Sequence, residues 1–501
     1  MPCDRPRNIL IIHTDQQRYD SLGCTGNPHA VTPNIDALAR DGTVFTRHIV
    51  ANTVCMPSRA SLFTGLYPPA HGVWDNGVPL NRREYIEYSG VRDGEGIVVQ
   101  PPTIADMCAE QGYRTACFGK MHLTPFFSPP VHGYHESQLW WQESPEELRE
   151  WHGPYYGFQY ADMAFTHGQL SQGHYRLWLQ ENHSEVYRRA VESDPARVIP
   201  ELGDLHPADV PLELHPTTWL GRRFAEYLER TADDGRPFMA FVGFPDPHHP
   251  WQPTREALEV VEDRDVLDRM DPEGTGLPDY VFGSAGGSIA HFTDEQKRTI
   301  RRYTLAQLYQ IDRVVGHICQ ALQDRGMWQN TLVVFTSDHG DFLGDHNYLR
   351  KGVGAAHSLL HVPCVLRVPW MDDQPERVDA PMSNCDVLPT VLAQAGVPVP
   401  ERVHGKDVFD AASGAAPCAF AYCSRGTPET TNHTVYDPRY RYTVYPQADR
   451  DELFDHEGDP GECRNLVEEP PHAQRRRNMR DMVKEALLRH RSPVVGRIAP
   501  W

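Results

Sequence analysis

The stretch Asn8-Ile9-Leu10-Ile11-Ile12-His13-Thr14-Asp15-Gln16 decides the fold. Its apolar run, Ile9 to Ile12, is continuous rather than alternating, the pattern of a parallel strand buried on both faces. The strand ends in polar residues, Thr14-Asp15-Gln16. Working outward, Thr32-Pro33 opens a helix with Thr as N-cap and Pro at the first helical position, and Asp41-Gly42 closes it. Residues 103–111 repeat the helix signal up to Gly112, and 114–118 follow as a strand. Residues 237–244 (PFMAFVGF) form another core strand. Residues 293–324 read as one long helix and 331–336 (TLVVFT) as the next strand. This alternation implies an α/β fold, a large, mostly parallel sheet flanked by helices.

The chain has 501 residues, 40% hydrophobic and 23% charged, a globular composition. At about 150 residues per domain this is room for roughly two to three domains. Aromatic residues make up 10%, which excludes global disorder. Asp and Glu outnumber Lys and Arg by 68 to 48, a net charge of −20. That excludes a nucleic-acid-binding surface covering the molecule, but a local cationic pocket can still take an anion. No apolar run reaches the ~20 residues of a membrane span, so no membrane is expected as a partner. The first residues lack the apolar core of a signal peptide. The expected location is cytoplasmic as written, or periplasmic or secreted if a leader has been removed. The eleven cysteines include no C-x-x-C pair, so most are expected to be reduced buried thiols.

Residues 1–380 are expected to form the catalytic α/β domain. Within it, about 125–235 is rich in Trp, Tyr, His and Pro and reads as an irregular insertion above the sheet. Trp140-Trp141 and Tyr155-Tyr156 there suit either core packing or stacking on a ring. Residues 381–501 are expected to form a small C-terminal α+β subdomain. In it 439–445 (RYRYTVY) alternates as an antiparallel strand able to pair with 451–455 (DELFD). A charged helix covers 471–490, and the apolar end SPVVGRIAPW is either a docked tail or an intersubunit arm of a homo-oligomer.

Four strand ends carry polar clusters: Asp15-Gln16, Gly119-Lys120-Met121-His122, Asp246-Pro247-His248-His249, and Ser337-Asp338-His339-Gly340-Asp341. In open α/β sheets the ligand sits beyond the carboxyl ends of the strands. Asp15, Gln16, Asp338 and His339 offer two carboxylates, an amide oxygen and an imidazole. The oxygens suit a hard divalent ion such as calcium, and the imidazole admits manganese or zinc. The segment Cys55-Met56-Pro57-Ser58-Arg59 places Cys55 at a helix N-terminus, where orphan N–H groups favour anions, with Arg59 one turn on.

Cys55-x-Pro57-Ser58-Arg59 with the following Ala60-Ser61-Leu62 and Thr64-Gly65 resembles the signature of the formylglycine-dependent sulfatases, of the alkaline-phosphatase-like superfamily. The resemblance runs nearly the full length, through 32–45, 119–123 (GKMHL), 247–250 (PHHP), 337–346 (SDHGDFLGDH), Lys351 and 451–466. It implies a sulfuric ester hydrolase that cleaves a small-molecule or saccharide sulfate to alcohol and sulfate. A maturation enzyme would oxidise Cys55 to formylglycine, whose hydrate carries two hydroxyls. A metal held by Asp15, Gln16, Cys55, Asp338 and His339 would activate one of them. His122 would assist release of sulfate through the other. His248 would be the general acid for the alcohol, with the choice against His249 left open, and Lys351 would act on the same oxygen. Arg59 and Lys120 would balance charge around the sulfate. Asn76, in Asp75-Asn76-Gly77, is either a substrate contact or a plain turn residue. Many members of the family have Asp and Asn where this chain has Gln16 and His339. That pair resembles the phosphonate monoester hydrolase branch, so phosphonate or phosphodiester hydrolysis is the first alternative, and a non-catalytic binding protein the second.

Overall fold

In the computed structural model, residues 7–81, 101–195, 197–264, 288–410, 418–424, 430–446 and 451–490 are described. The strands are β1 (Asn8–Thr14), β2 (Thr43–Phe45), β3 (His48–Ile49), β4 (Arg114–Gly119), β5 (Tyr160–Asp162), β6 (Phe238–Gly243) and β7 (Thr331–Ser337). They continue as β8 (Cys364–Arg367), β9 (Arg377–Val378), β10 (Met382–Ser383), β11 (Ala419–Cys423), β12 (Asn432–Tyr436), β13 (Tyr440–Val444) and β14 (Glu452–Asp455). One sheet of eight strands runs in the order β5-β4-β6-β1-β7-β8-β2-β9. All its pairings are parallel except those of β8, which is antiparallel to both β7 and β2.

All seven residues of β1 are buried. Ile9 and Ile11 enter one core with Met56, Phe63, Met239 and Val334. Leu10 and Ile12 enter the opposite core with Leu38, Trp219, Val242 and Ile311. The unbroken apolar run is therefore the signature of a strand sandwiched between helix layers. The helices Cys55–Thr64, Ile104–Glu110 and Val387–Ala395 cover the first face, and Pro33–Arg40, Pro216–Arg230 and Asp294–Asp324 the second.

Several local expectations need correction. Thr32 stands at the N-cap position without a capping bond. The orphan N–H groups of Asn34 and Ile35 donate instead to Asp312, 2.9 and 2.8 Å away on the long helix. The stretch 125–235 is not irregular throughout. β5 extends the main sheet, and Pro216–Arg230 is a 15-residue helix with Trp219, Leu220, Phe224 and Leu228 buried. The charged residues Arg222, Arg223 and Glu226 between them mask this apolar stripe in the sequence. Beyond residue 380, β10 pairs with β3, and Val387–Ala395 packs in the main core.

The antiparallel sheet β11-β12-β13-β14 follows, with the helix Ala473–Arg489 laid on it through Met479 and Val483. β13 pairs with β14 as 439–445 and 451–455 suggest. The apolar tail 492–501 lies outside the described residues. No helix of the described residues is long and apolar enough to cross a membrane.

Candidate active site

The parallel register brings the strand ends together. Thr14 is level with Ser337, and Gly119 with Gly243. Gly119 has φ of +94°, and a Cβ there would lie 2.1 Å from the Gly243 oxygen. Only glycine lets these two ends close, with Lys120 N–H donating to that oxygen at 2.9 Å. Asp15, Lys120, His248 and Asp338 thus converge above the sheet, and all are buried.

Cys55 is the first residue of a helix whose ten residues are all buried. Its Sγ faces His339 Nε2 at 3.3 Å, Lys351 Nζ at 2.8 Å and Asp15 Oδ1 at 3.9 Å. Arg59, one turn on and fully buried, donates from Nε to Asp338 (2.8 Å), from Nη2 to Asp15 (3.0 Å) and from Nη1 to the Lys120 carbonyl (2.8 Å). Lys120 pairs with Asp15 and donates to His167 Nε2 at 2.7 Å. Burial alone would raise the Asp15 pKa, but Lys120, then His248, Arg59 and Lys351, pull it well below the usual carboxylate range. The Cys55 thiol is pushed up by burial and Asp15, yet Lys351, Lys120 and His339 bring it down to about 7. The cage therefore favours negative charge at residue 55.

The donor set fits a divalent cation. Asp15, Cys55, Asp338 and His339 present ligand atoms within 4.8 Å of one another. His339 Nδ1 donates to the Gly340 carbonyl at 2.9 Å, which leaves the Nε2 lone pair facing the cluster. Gln16 Nε2 donates to Asp341 and, at 3.2 Å, to His249 Nδ1, so the amide oxygen turns inward. Burial pushes the His339 pKa down, but Asp338 and Cys55 together outweigh it and the net shift is upward, so the position attracts positive charge. The Lys351 ammonium marks that demand, standing 2.8 Å from His339 Nε2 and 3.4 Å from Gln16 Oε1.

His248 and His249 separate by partner. His248 Nε2 lies 3.2 Å from Lys351 Nζ and its Nδ1 bonds the His249 carbonyl, while the His249 ring is spent on Gln16. His122 has φ of +53° and stacks on Phe126 with ring centroids 3.7 Å apart. Its Nδ1 is buried and bonds none of the described residues. Asn76 lines the same cavity, of about 910 Å³, and its Oδ1 accepts from Met56 N–H at 3.1 Å, capping the Cys55 helix.

Three residues escaped the sequence reading. His167 stacks on His248 at 3.6 Å besides accepting from Lys120, and no motif surrounds it. Asp341 orients Gln16, and its only signal was its place in the Ser337–Asp341 cluster. Glu136 accepts from the backbone N–H groups of Met121, His122 and Leu123 at 2.9, 2.7 and 3.1 Å and so fixes the turn that carries His122.

The fold, a mostly parallel α/β sheet with a small antiparallel sheet after it, is of the alkaline-phosphatase-like class. The sulfatase family model matches residues 7–397, and the model of the C-terminal region of N-sulphoglucosamine sulphohydrolase matches 344–489. The chain belongs to the sulfatase family and is an enzyme, a hydrolase acting on ester bonds. It is 26% identical to an arylsulfatase of Clostridium perfringens over 93% of this chain and 92% of that one. It is 27% identical to a choline-sulfatase of Rhizobium meliloti over 92% of this chain and 83% of that one. The crystal structure of a phosphonate monoester hydrolase of Agrobacterium radiobacter superposes with a TM-score of 0.78 at 25% identity, covering 97% and 96% of the chains. A structure in complex with its substrate D-glucosamine-2-N,6-O-disulfate superposes with a TM-score of 0.70 at 19% identity, covering 97% and 98%.

Proposed function

We propose that the protein hydrolyses an organic sulfate monoester to alcohol and sulfate. Cys55, matured to formylglycine by a separate enzyme, is the nucleophile's source, and Asp15, Gln16, Asp338 and His339 hold one divalent metal, calcium. The observation that carries this reading is the position of Cys55. It heads a buried helix, with Arg59 and the ligand set beneath it and Lys120, His122, His248 and Lys351 around it. In this reading residues 1–380 carry the chemistry and 381–501 support them.

The matured side chain supplies two hydroxyls, one to attack sulfur and one whose proton is lost as sulfate departs. The cation supplies the field that lowers the pKa of the attacking hydroxyl. Arg59 offsets the charge of both carboxylates, so the pocket accepts a sulfate anion. Lys120 and Lys351 take the sulfate oxygens. As the bond from sulfur to the alcohol oxygen breaks, its electron pair stays on that oxygen. The proton comes from the Lys351–His248 pair, whose Nζ and Nε2 are 3.2 Å apart. Burial, then Lys120 and Arg59, holds the His122 pKa well below its ordinary value, so its ring is neutral, and as part of the cavity lining it takes the second hydroxyl's proton. Asn76 fixes the first turn of the Cys55 helix and borders the bound anion.

A second reading, phosphonate monoester or phosphodiester hydrolysis, is favoured by Gln16 and His339 in the ligand set and by the likeness to the Agrobacterium enzyme. Parallel turnover of 4-nitrophenyl sulfate and 4-nitrophenyl phenylphosphonate separates the two. The sulfate reading expects the higher kcat/KM on the sulfate, and a clear preference for the phosphonate would overturn it.

A further inference from the structure

We propose that the alcohol released is ring-bearing and not cationic, its ring lying against Phe127 at the cavity mouth; this rests on the sulfate-ester reading above. Phe127 is 74% exposed, more than any other large hydrophobic side chain among the described residues, and it lines the cavity that holds Cys55. Its neighbour Phe126 is spent inward, stacked on His122. The wall that carries Phe127 is pinned rather than loose. Glu136 takes three backbone N–H groups and the Tyr155 hydroxyl. Gln138 N–H donates to the Phe126 carbonyl at 2.7 Å, and Ser137 Oγ bonds the Ser128 carbonyl. A fixed wall that holds a phenyl face in water on the cavity that also holds Cys55 offers that face to the part of the substrate that leaves.

The lining sets the sign of that part. Among the described lining residues no side chain is a carboxylate, while Lys351 and Arg350 bring positive charge. Arg350 shares its charge with Asp204, 2.8 Å away. A quaternary ammonium alcohol would meet Lys351 and Arg350 and, among the described lining residues, no carboxylate, and the exposed ring of Phe127 alone does not offset two cations. An aryl ring or the apolar face of a sugar meets Phe127 with no such penalty. The shared chemistry is a flat ring, and the volume of about 910 Å³ accommodates one.

The test reads a preference ratio, the kcat/KM for 4-nitrophenyl sulfate divided by that for butyl sulfate, on the matured protein. Phe127→Ala is expected to lower this ratio about tenfold, the value of one lost stacking face, and Phe127→Tyr to keep it. Val131→Ala, at a 66%-exposed residue of the same loop outside the cavity lining, is expected to keep the wild-type ratio. Glucose 6-sulfate, the ester of an uncharged sugar, in place of the aryl ester tells a sugar from an aryl ring by which loses more in Phe127→Ala. The same ratio is read on phenyl and butyl phosphonate monoesters. Ring preference there without sulfate turnover would fault the sulfatase reading and uphold the Phe127 subsite. An unchanged ratio in Phe127→Ala would overturn the subsite, as would choline O-sulfate turning over faster than its uncharged isostere 3,3-dimethylbutyl sulfate.

Discussion

Gln16 and His122 both adopt left-handed backbone conformations, φ 66° and 53°, just beyond the ends of β1 and β4. Non-glycine residues rarely hold such angles unless their surroundings over-determine them. Here they do: Asp341 and His249 hold the Gln16 amide, and Glu136 holds the His122 backbone. That Asp15, Cys55, Arg59 and Asp338 meet was legible, because each sits in a motif at a strand end or a helix start. His167 was not, because its partners Lys120 and His248 come from two other strands. Its loss should misplace both. His167→Ala is expected to lower kcat about 10- to 100-fold with a smaller change in KM. His167→Phe, which keeps the stack but not the Lys120 bond, should fall between, as steady-state kinetics on both variants will show.

At the scale of elements, the small C-terminal sheet supports the segments that flank Cys55 and Lys351. Asn52 Nδ2 donates to the Tyr422 carbonyl at 2.7 Å, and Asn432 Nδ2 to the Val353 carbonyl. The pairing of β13 with β14 was legible from alternation, whereas this propping was not, since it depends on isolated side chains reaching between sheets. The same sheet encloses Arg441, fully buried between Glu462 and Glu452. Burial opposes ionisation of Glu462, but Arg441 and His456 hold its pKa down at about 2, below the ordinary 4.5. A depressed acid pKa adds stability that is complete above the unfolded value and is lost as pH falls through the folded one. Wild-type thermal midpoints should therefore decline between about pH 4.5 and 2, and Glu462→Gln should flatten that part of the decline. At pH 7 the variant should lose about 3 kcal/mol, because Arg441 is left with one carboxylate, as denaturant unfolding can measure.

The whole molecule carries a net charge of −20, yet its cavity is lined, among the described residues, by histidines, Lys351 and Arg350. Composition indicated the first and only the fold discloses the second, because the Arg350-Lys351 pair and the lining histidines come from connections far apart in sequence. The parallel sheet was legible from buried apolar runs. β5 and the helix Pro216–Arg230 were not, since one is three residues long and the other hides its apolar stripe among arginines. If Asp15, Gln16, Asp338 and His339 hold the proposed cation, its loading bears on stability as well as on turnover. Chelation is expected to lower the thermal midpoint by several degrees and abolish hydrolysis, with calcium restoring both. Restoration by manganese or zinc but not calcium would correct the metal assignment.

The most direct test of the central claim is mass spectrometry of the peptide holding Cys55, taken from protein shown to hydrolyse a sulfate ester. Conversion to formylglycine predicts a peptide about 18 Da lighter than the cysteine form and unreactive to thiol reagents. An unmodified Cys55 throughout fully active protein would contradict the account.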